Sequence, residues 1–110
     1  MVRKSLTPAM LALVAERLRA LAEPARLQIL NELRGGELTV TELVEATGLG
    51  QANISKHLQL LLAAGFVARR KDGLYARYRL ADEDVFRICE IMCGRLELDA
   101  KRRHRLLARA

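Results

Sequence analysis

The stretch that most constrains the fold is residues 39–65, "TVTELVEATGLGQANISKHLQLLLAAG". Thr39 and Glu42 stand at the spacing of a capping box, in which each side chain accepts a hydrogen bond from the other residue's backbone N–H. A short helix, "VTELVEAT", is expected to follow, and Gly48 stands where a C-terminal cap belongs. About three residues then lead into a longer helix, closed by Gly65, in which Ile54, Leu58 and Leu61 recur at helical spacing. Short helix, tight Gly-containing turn, longer helix is a helix-turn-helix.

After Gly65 the period changes. "FVARRKDGLYARYRL" alternates, and Asp72-Gly73 is expected to form a two-residue hairpin turn, because both residues tolerate positive φ. Ala76, Tyr78 and Leu80 then share one face of the return strand, and Tyr75, Arg77 and Arg79 the other. Ahead of the motif, Thr7 caps a first helix with Pro8 at its first position, running to about Ala22. Its apolar residues, Met10, Leu11, Leu13, Val14, Leu18 and Leu21, cover more than one stripe, so a second face is expected to meet another helix, from another chain. Pro24 opens a second helix with Leu27, Ile29, Leu30 and Leu33 facing inward and Gly35-Gly36 at its end. A last helix is expected from Asp82, with three acids at its positive end, to about Leu107. Val85, Ile88, Cys89, Met92 and Leu96 form its stripe, and the basic segment beyond Ala100 is expected to fray.

The expected fold is mainly α: a winged helix-turn-helix of about five helices plus a β-hairpin wing, forming a homodimer through the first and last helices. One domain covers 1–110, with dimerisation helices at 7–22 and 82–107, the helix-turn-helix at 39–64 and the wing at 66–80.

Charge indicates the partner. Lys and Arg number 19 against 13 acids, a net charge of +6. A small basic domain suits a polyanion, nucleic acid ahead of membrane. No apolar run reaches the ~18 residues of a membrane span. The start, "MVRKSLTPAMLALVAERL", imitates a leader, but its apolar pattern continues through Leu18 and Leu21 with arginines between, as in an amphipathic helix. The two cysteines are therefore expected to be reduced thiols in a cytoplasm. An enzyme is not expected: there is no C-x-x-C, no Ser/His/Asp set and no phosphate loop.

The longer helix of the motif would be the recognition helix. Gln51, Ala52, Asn53, Ser55 and Lys56 lie in its first turns, where a docked helix meets base edges. Gln and Asn can pair bidentately with adenine, Lys can reach guanine or phosphate, and Ser serves either. No acid lies between Gln51 and Gly65 to repel phosphate. His57 has two open readings, a phosphate contact or a satisfied helix histidine. Arg69, Arg70, Lys71 and Arg77, with Arg79, make the hairpin a cationic arm for phosphates or a minor groove. The same charges could serve only to keep an edge strand soluble.

"LRALAEPARLQILNEL" followed by "ELTVTELVEATGLGQANISKHLQLLLAAGFVARRKDGLYARYRL" resembles the ArsR/SmtB family of small bacterial repressors, over about residues 15–90. The resemblance implies a homodimer on a double-stranded DNA operator, released by a metal, metalloid or thiol-reactive signal. Its metal-sensing members open the third helix with E-L-C-V-C-D, where this chain has Thr39 and Thr41, and Thr is a poor soft-metal ligand. The family's zinc-type site on the last helix pairs Asp-x-His with His-x-x-Glu; here Asp82, Asp84, Arg95 and Leu98 stand at those places. Neither site is expected. What remains is "CEIMC", Cys89 and Cys93 one turn apart beside Met92. No cofactor is required, and a soft metal or metalloid ion is the one candidate. Two readings stay open for the pair: a soft-metal or redox sensor, or two small apolar residues in a helix interface.

Overall fold

The computed structural model describes residues 5–108. The ends of the expected 1–110 domain, with the basic start of the leader-like stretch, lie outside the described residues.

Five α-helices and three short strands follow one another: α1 (Pro8–Leu21), α2 (Pro24–Glu32), a 3-10 turn (Leu33–Gly35), β1 (Leu38–Thr39), α3 (Val40–Thr47), α4 (Gln51–Ala63), β2 (Val67–Asp72), β3 (Tyr75–Leu80) and α5 (Asp84–Ala108). Thr7 caps α1, its hydroxyl accepting from Met10 N–H at 3.2 Å, with Pro8 at the first position. The α3 box closes as its spacing requires: Thr39 Oγ1 accepts from Glu42 N–H at 3.2 Å, and Glu42 Oε1 from Thr39 N–H at 3.0 Å. Gly48 ends α3 in the left-handed region, φ 74°. A side chain there would bring its Cβ against the following carbonyl, which glycine avoids.

The core lies where the helices and the sheet converge. Ile29 and Leu30 of α2, Leu43 of α3, and Ile54, Leu58 and Leu61 of α4 are fully buried, with Phe66, Val67, Tyr78 and Val85 closing over them. Leu27 is only partly buried. Aliphatic residues dominate because the chain has no Trp and only two Phe.

Three boundaries differ from the sequence expectation. α2 ends at Glu32, and a 3-10 turn covers Leu33–Gly35 ahead of Gly36. The hairpin turn is Gly73-Leu74, one residue later than Asp72-Gly73, because Asp72 pairs with Tyr75 as the last rung. Gly73 alone takes positive φ, 62°, as a turn with glycine at its first central position does. α5 begins at Asp84, with Asp82 Oδ1 accepting from Asp84 N–H at 2.9 Å, and it continues to Ala108. The wing also gains a strand: Leu38 pairs with Tyr78 and Thr39 with Arg77, giving an antiparallel sheet in the order β1-β3-β2. Two residues ahead of a helix cap carry too little alternation to announce a strand.

Of α5's 25 residues only Val85 is buried. Ile88, Met92 and Leu96 are exposed, as are Met10, Leu11, Leu13, Val14 and Leu18 of α1. These are the stripes for which the sequence predicts a partner helix.

Candidate nucleic-acid interface and thiol pair

α4 presents its first turns outward because Ile54, Leu58 and Leu61 hold its other face in the core. Gln51, Ala52, Asn53 and Lys56 are exposed; Ser55 is partly buried. The first turn carries no acid, and Gly50, at the N-cap, supplies no side-chain hydrogen bond. Its N–H groups are left facing outward, at the end of the helix where the dipole favours an anion.

His57 is partly buried and turned inward: Arg26 Nη1 stands 3.4 Å from its Nδ1. The same guanidinium donates to Ala20 O at 2.6 Å and Arg19 O at 3.0 Å, closing the C-terminus of α1. The structure thus gives His57 a neighbour within the protein.

The wing divides its charges between two faces. Alternation places Arg69 and Lys71 on the face that buries Val67 and Tyr78, and Arg70, Arg77 and Arg79 on the opposite one. Arg70 Nε reaches Glu37 at 2.8 Å, and Arg77 Nε reaches Asp72 at 2.7 Å with Glu42 3.6 Å from Nη1. Hydrogen bonding to Arg70 holds the Glu37 carboxyl below its ordinary range, and bonding to Arg77 does so for Asp72. Thr39 N–H is the main cause of the same shift at Glu42. Arg70 and Arg77 therefore tie the hairpin to the segment that opens α3. Arg69, Lys71 and Arg79 form no ion pair among the described residues. Reading the sequence alone groups all five as one cationic arm and misses Glu37 and Glu42 as wing partners, since their pairing crosses about 30 residues.

Arg17 joins the helices of the expected dimer face to the recognition helix. Its Nη1 donates to Ala64 O, just past α4, at 2.8 Å; its Nη2 pairs with Asp82, and its guanidinium stacks 4.2 Å from the Phe66 ring centroid. Asp82 thus holds an arginine and caps α5, and Thr39 caps α3, so both former ligand places of the resemblance serve folding here. The described residues hold no group of three or more His, Cys, Asp or Glu able to bind a metal. Cys89 and Cys93 are free thiols, partly buried and exposed respectively. Both line a groove of about 510 Å³ between α2 and α5.

Residues 23–69 match the model of the arsR family of bacterial regulatory proteins. The chain is similar to the homodimeric winged helix-turn-helix DNA-binding domain of a possible ArsR-family transcriptional regulator from Mycobacterium bovis: TM-score 0.72, 34% identity, 91% of this chain and 93% of that one covered. This chain belongs to the arsR family. It is 43% identical over 67 residues to a probable mercury resistance operon repressor of Streptomyces lividans, covering 61% of this chain and 54% of the relative. It is 42% identical over 79 residues to the transcriptional regulator NmtR of Mycobacterium tuberculosis, covering 72% and 66%. The chain thus spans between about half and two thirds of these curated relatives. No described helix is long and apolar enough to cross a membrane.

Proposed function

We propose that this arsR-family chain is a homodimeric, sequence-specific DNA-binding repressor, released from its operator by a soft metal, metalloid or thiol-reactive signal at Cys89 and Cys93. One observation carries the DNA reading: an exposed, acid-free helix start lies on a buried scaffold beside a wing whose Arg69 and Lys71 form no ion pair among the described residues. Gln51, Asn53, Ser55 and Lys56 read bases, and the wing meets phosphate. Similarity to repressors, among them a probable mercury resistance operon repressor, supports the repressor and its soft signal.

The test is operator binding, with a site selected from random DNA, by wild type and the double variant Cys89→Ser plus Cys93→Ser. Specific DNA should outlast excess random DNA by the margin of about 10³ or more usual for a specific binder. The double variant should bind the operator normally and ignore oxidants and soft metals that release wild type. Equal affinity for operator and random DNA would make the chain an architectural protein. Indifference of wild type to every oxidant and soft metal would leave the cysteines as packing groups and the chain as a regulator without this sensor.

A further inference from the structure

Among soft and thiol-reactive species, the thiol pair is selective. Cys89 and Cys93 face one groove, walled by Leu27 and Leu30 of α2 and by Phe86 of α5. On a helix, Cβ atoms at i and i+4 stand about 5–6 Å apart. A disulfide needs them at about 3.5–4.5 Å, so intact helix keeps this pair from closing on itself. Two metal–sulfur bonds in line, each of roughly 2.3 Å as in a zinc thiolate, separate the sulfurs by roughly 4.6 Å.

The donor count points the same way. Zinc in a closed site takes four ligands, and arsenite is held most tightly by three thiolates. Among the described residues no third soft donor lines the groove; Glu90 and Glu97 do, but carboxylate is a hard ligand. The remaining charged group on the groove is Arg34, whose guanidinium lies 4.3 Å from the Phe86 ring centroid.

We propose that Cys89 and Cys93 of one chain form a two-coordinate thiolate site for a soft cation that prefers linear geometry, the class of Cu(I), Ag(I) and Hg(II). This deepens, and rests on, the assignment of the response to these cysteines. On binding, each S–H bond breaks, each sulfur forms one bond to the metal, and two protons pass to solvent; no electron is transferred. With a divalent ion the bis-thiolate is neutral, which suits apolar walls; with a monovalent one it carries a single negative charge beside Arg34.

The experiment uses the reduced full chain with Cu(I), Ag(I) or Hg(II), each in competition with Zn(II), Cd(II) and arsenite. Native mass spectrometry counts ions per chain, X-ray absorption counts sulfurs per ion, and alkylation reports which thiols are blocked. The expected result is one linear ion per chain, two sulfurs around it, both thiols blocked, and no displacement by an equal amount of the three competitors. Cys93→Ser, at an exposed position, should lose stoichiometric binding with an unchanged circular dichroism spectrum, as should Cys89→Ala. Three or four sulfurs per ion, one ion shared between two chains, or zinc or arsenite held as tightly would overturn the site. Operator binding by the same samples separates the two proposals. A two-sulfur site that leaves operator affinity unchanged upholds the site and sinks the response. Release of operator by an ion with three or more sulfurs does the reverse.

Discussion

Arg69 and Lys71 share a wing face and neither pairs with an acid among the described residues, whereas Arg77 is neutralised by Asp72 and Glu42. Replacing Arg69 or Lys71 with Ala should weaken binding to all DNA sequences and reduce the slope of log affinity against log salt by about 1. Arg77→Ala should change that slope less than either, because its charge already has partners within the protein. Equal slope changes in all three variants, measured by titration at several salt concentrations, would remove the distinction. The ties behind Arg70 and Arg77 also carry a pH dependence. The carboxyls of Glu37, Asp72 and Glu42 are depressed in the folded state. Their contribution is therefore fully present above the unfolded carboxylate range and lost as pH falls through the lower folded values. The wing should stay anchored from neutral pH down to about 4, where ordinary carboxylates begin to protonate, and loosen below. Side-chain carbonyl resonances of the three acids, followed by NMR, should titrate below those of a matching peptide.

At the scale of elements, the orientation of α4 depends on α3, since a helix-turn-helix with a tight linker moves as one piece. The start of α3 is set by the reciprocal Thr39–Glu42 bonds, and Thr39 also pairs with Arg77 in the sheet. Thr39→Ala removes the cap hydroxyl and should cost about 1 kcal/mol of stability, read as a lowered urea midpoint with unchanged slope. Thr39→Ser, which keeps the hydroxyl, should recover most of it. A cost confined to the loss of a methyl group would make the two variants equal, and the cap would then contribute nothing measurable. α1, α4 and α5 meet through Arg17, so a change in how the outer helices pack has a direct route to the end of the recognition helix.

At the scale of the whole molecule, the exposed apolar residues decide the assembly. Leu13 is 60% exposed, Ile91 74% and Leu96 66%, on two helices that flank the same side of the core. Leaving such a stripe in water costs on the order of 25 cal/mol per Å² of apolar surface, which a second copy of the chain would remove. Leu96→Glu should therefore give a monomer in sedimentation at micromolar concentration, with a normal circular dichroism spectrum. Its operator affinity should fall with it, since the two recognition helices of a dimer are expected to enter major grooves roughly 34 Å apart on a near-palindromic site. A monomer that retained full operator affinity would refute the dimeric reading.

Local physics made much of this molecule legible in its residues. Thr7-Pro8, the Thr39–Glu42 box, Gly48 and the shift from helical to alternating spacing after Gly65 act within a few positions of themselves, so helices, turn and wing followed from the order of residues. The family followed from the same segments. What the chain's order could not show are effects of distant residues on one another. β1 exists because Leu38 and Thr39 happen to lie beside Tyr78 and Arg77, which no period in two residues can announce. His57 turns to Arg26, Arg70 to Glu37 and Arg77 toward Glu42 because folding brings together groups about 30 residues apart. A charge counted in sequence is free until the tertiary structure supplies its partner, and that pairing separates the arginines that fasten the wing from those left facing outward.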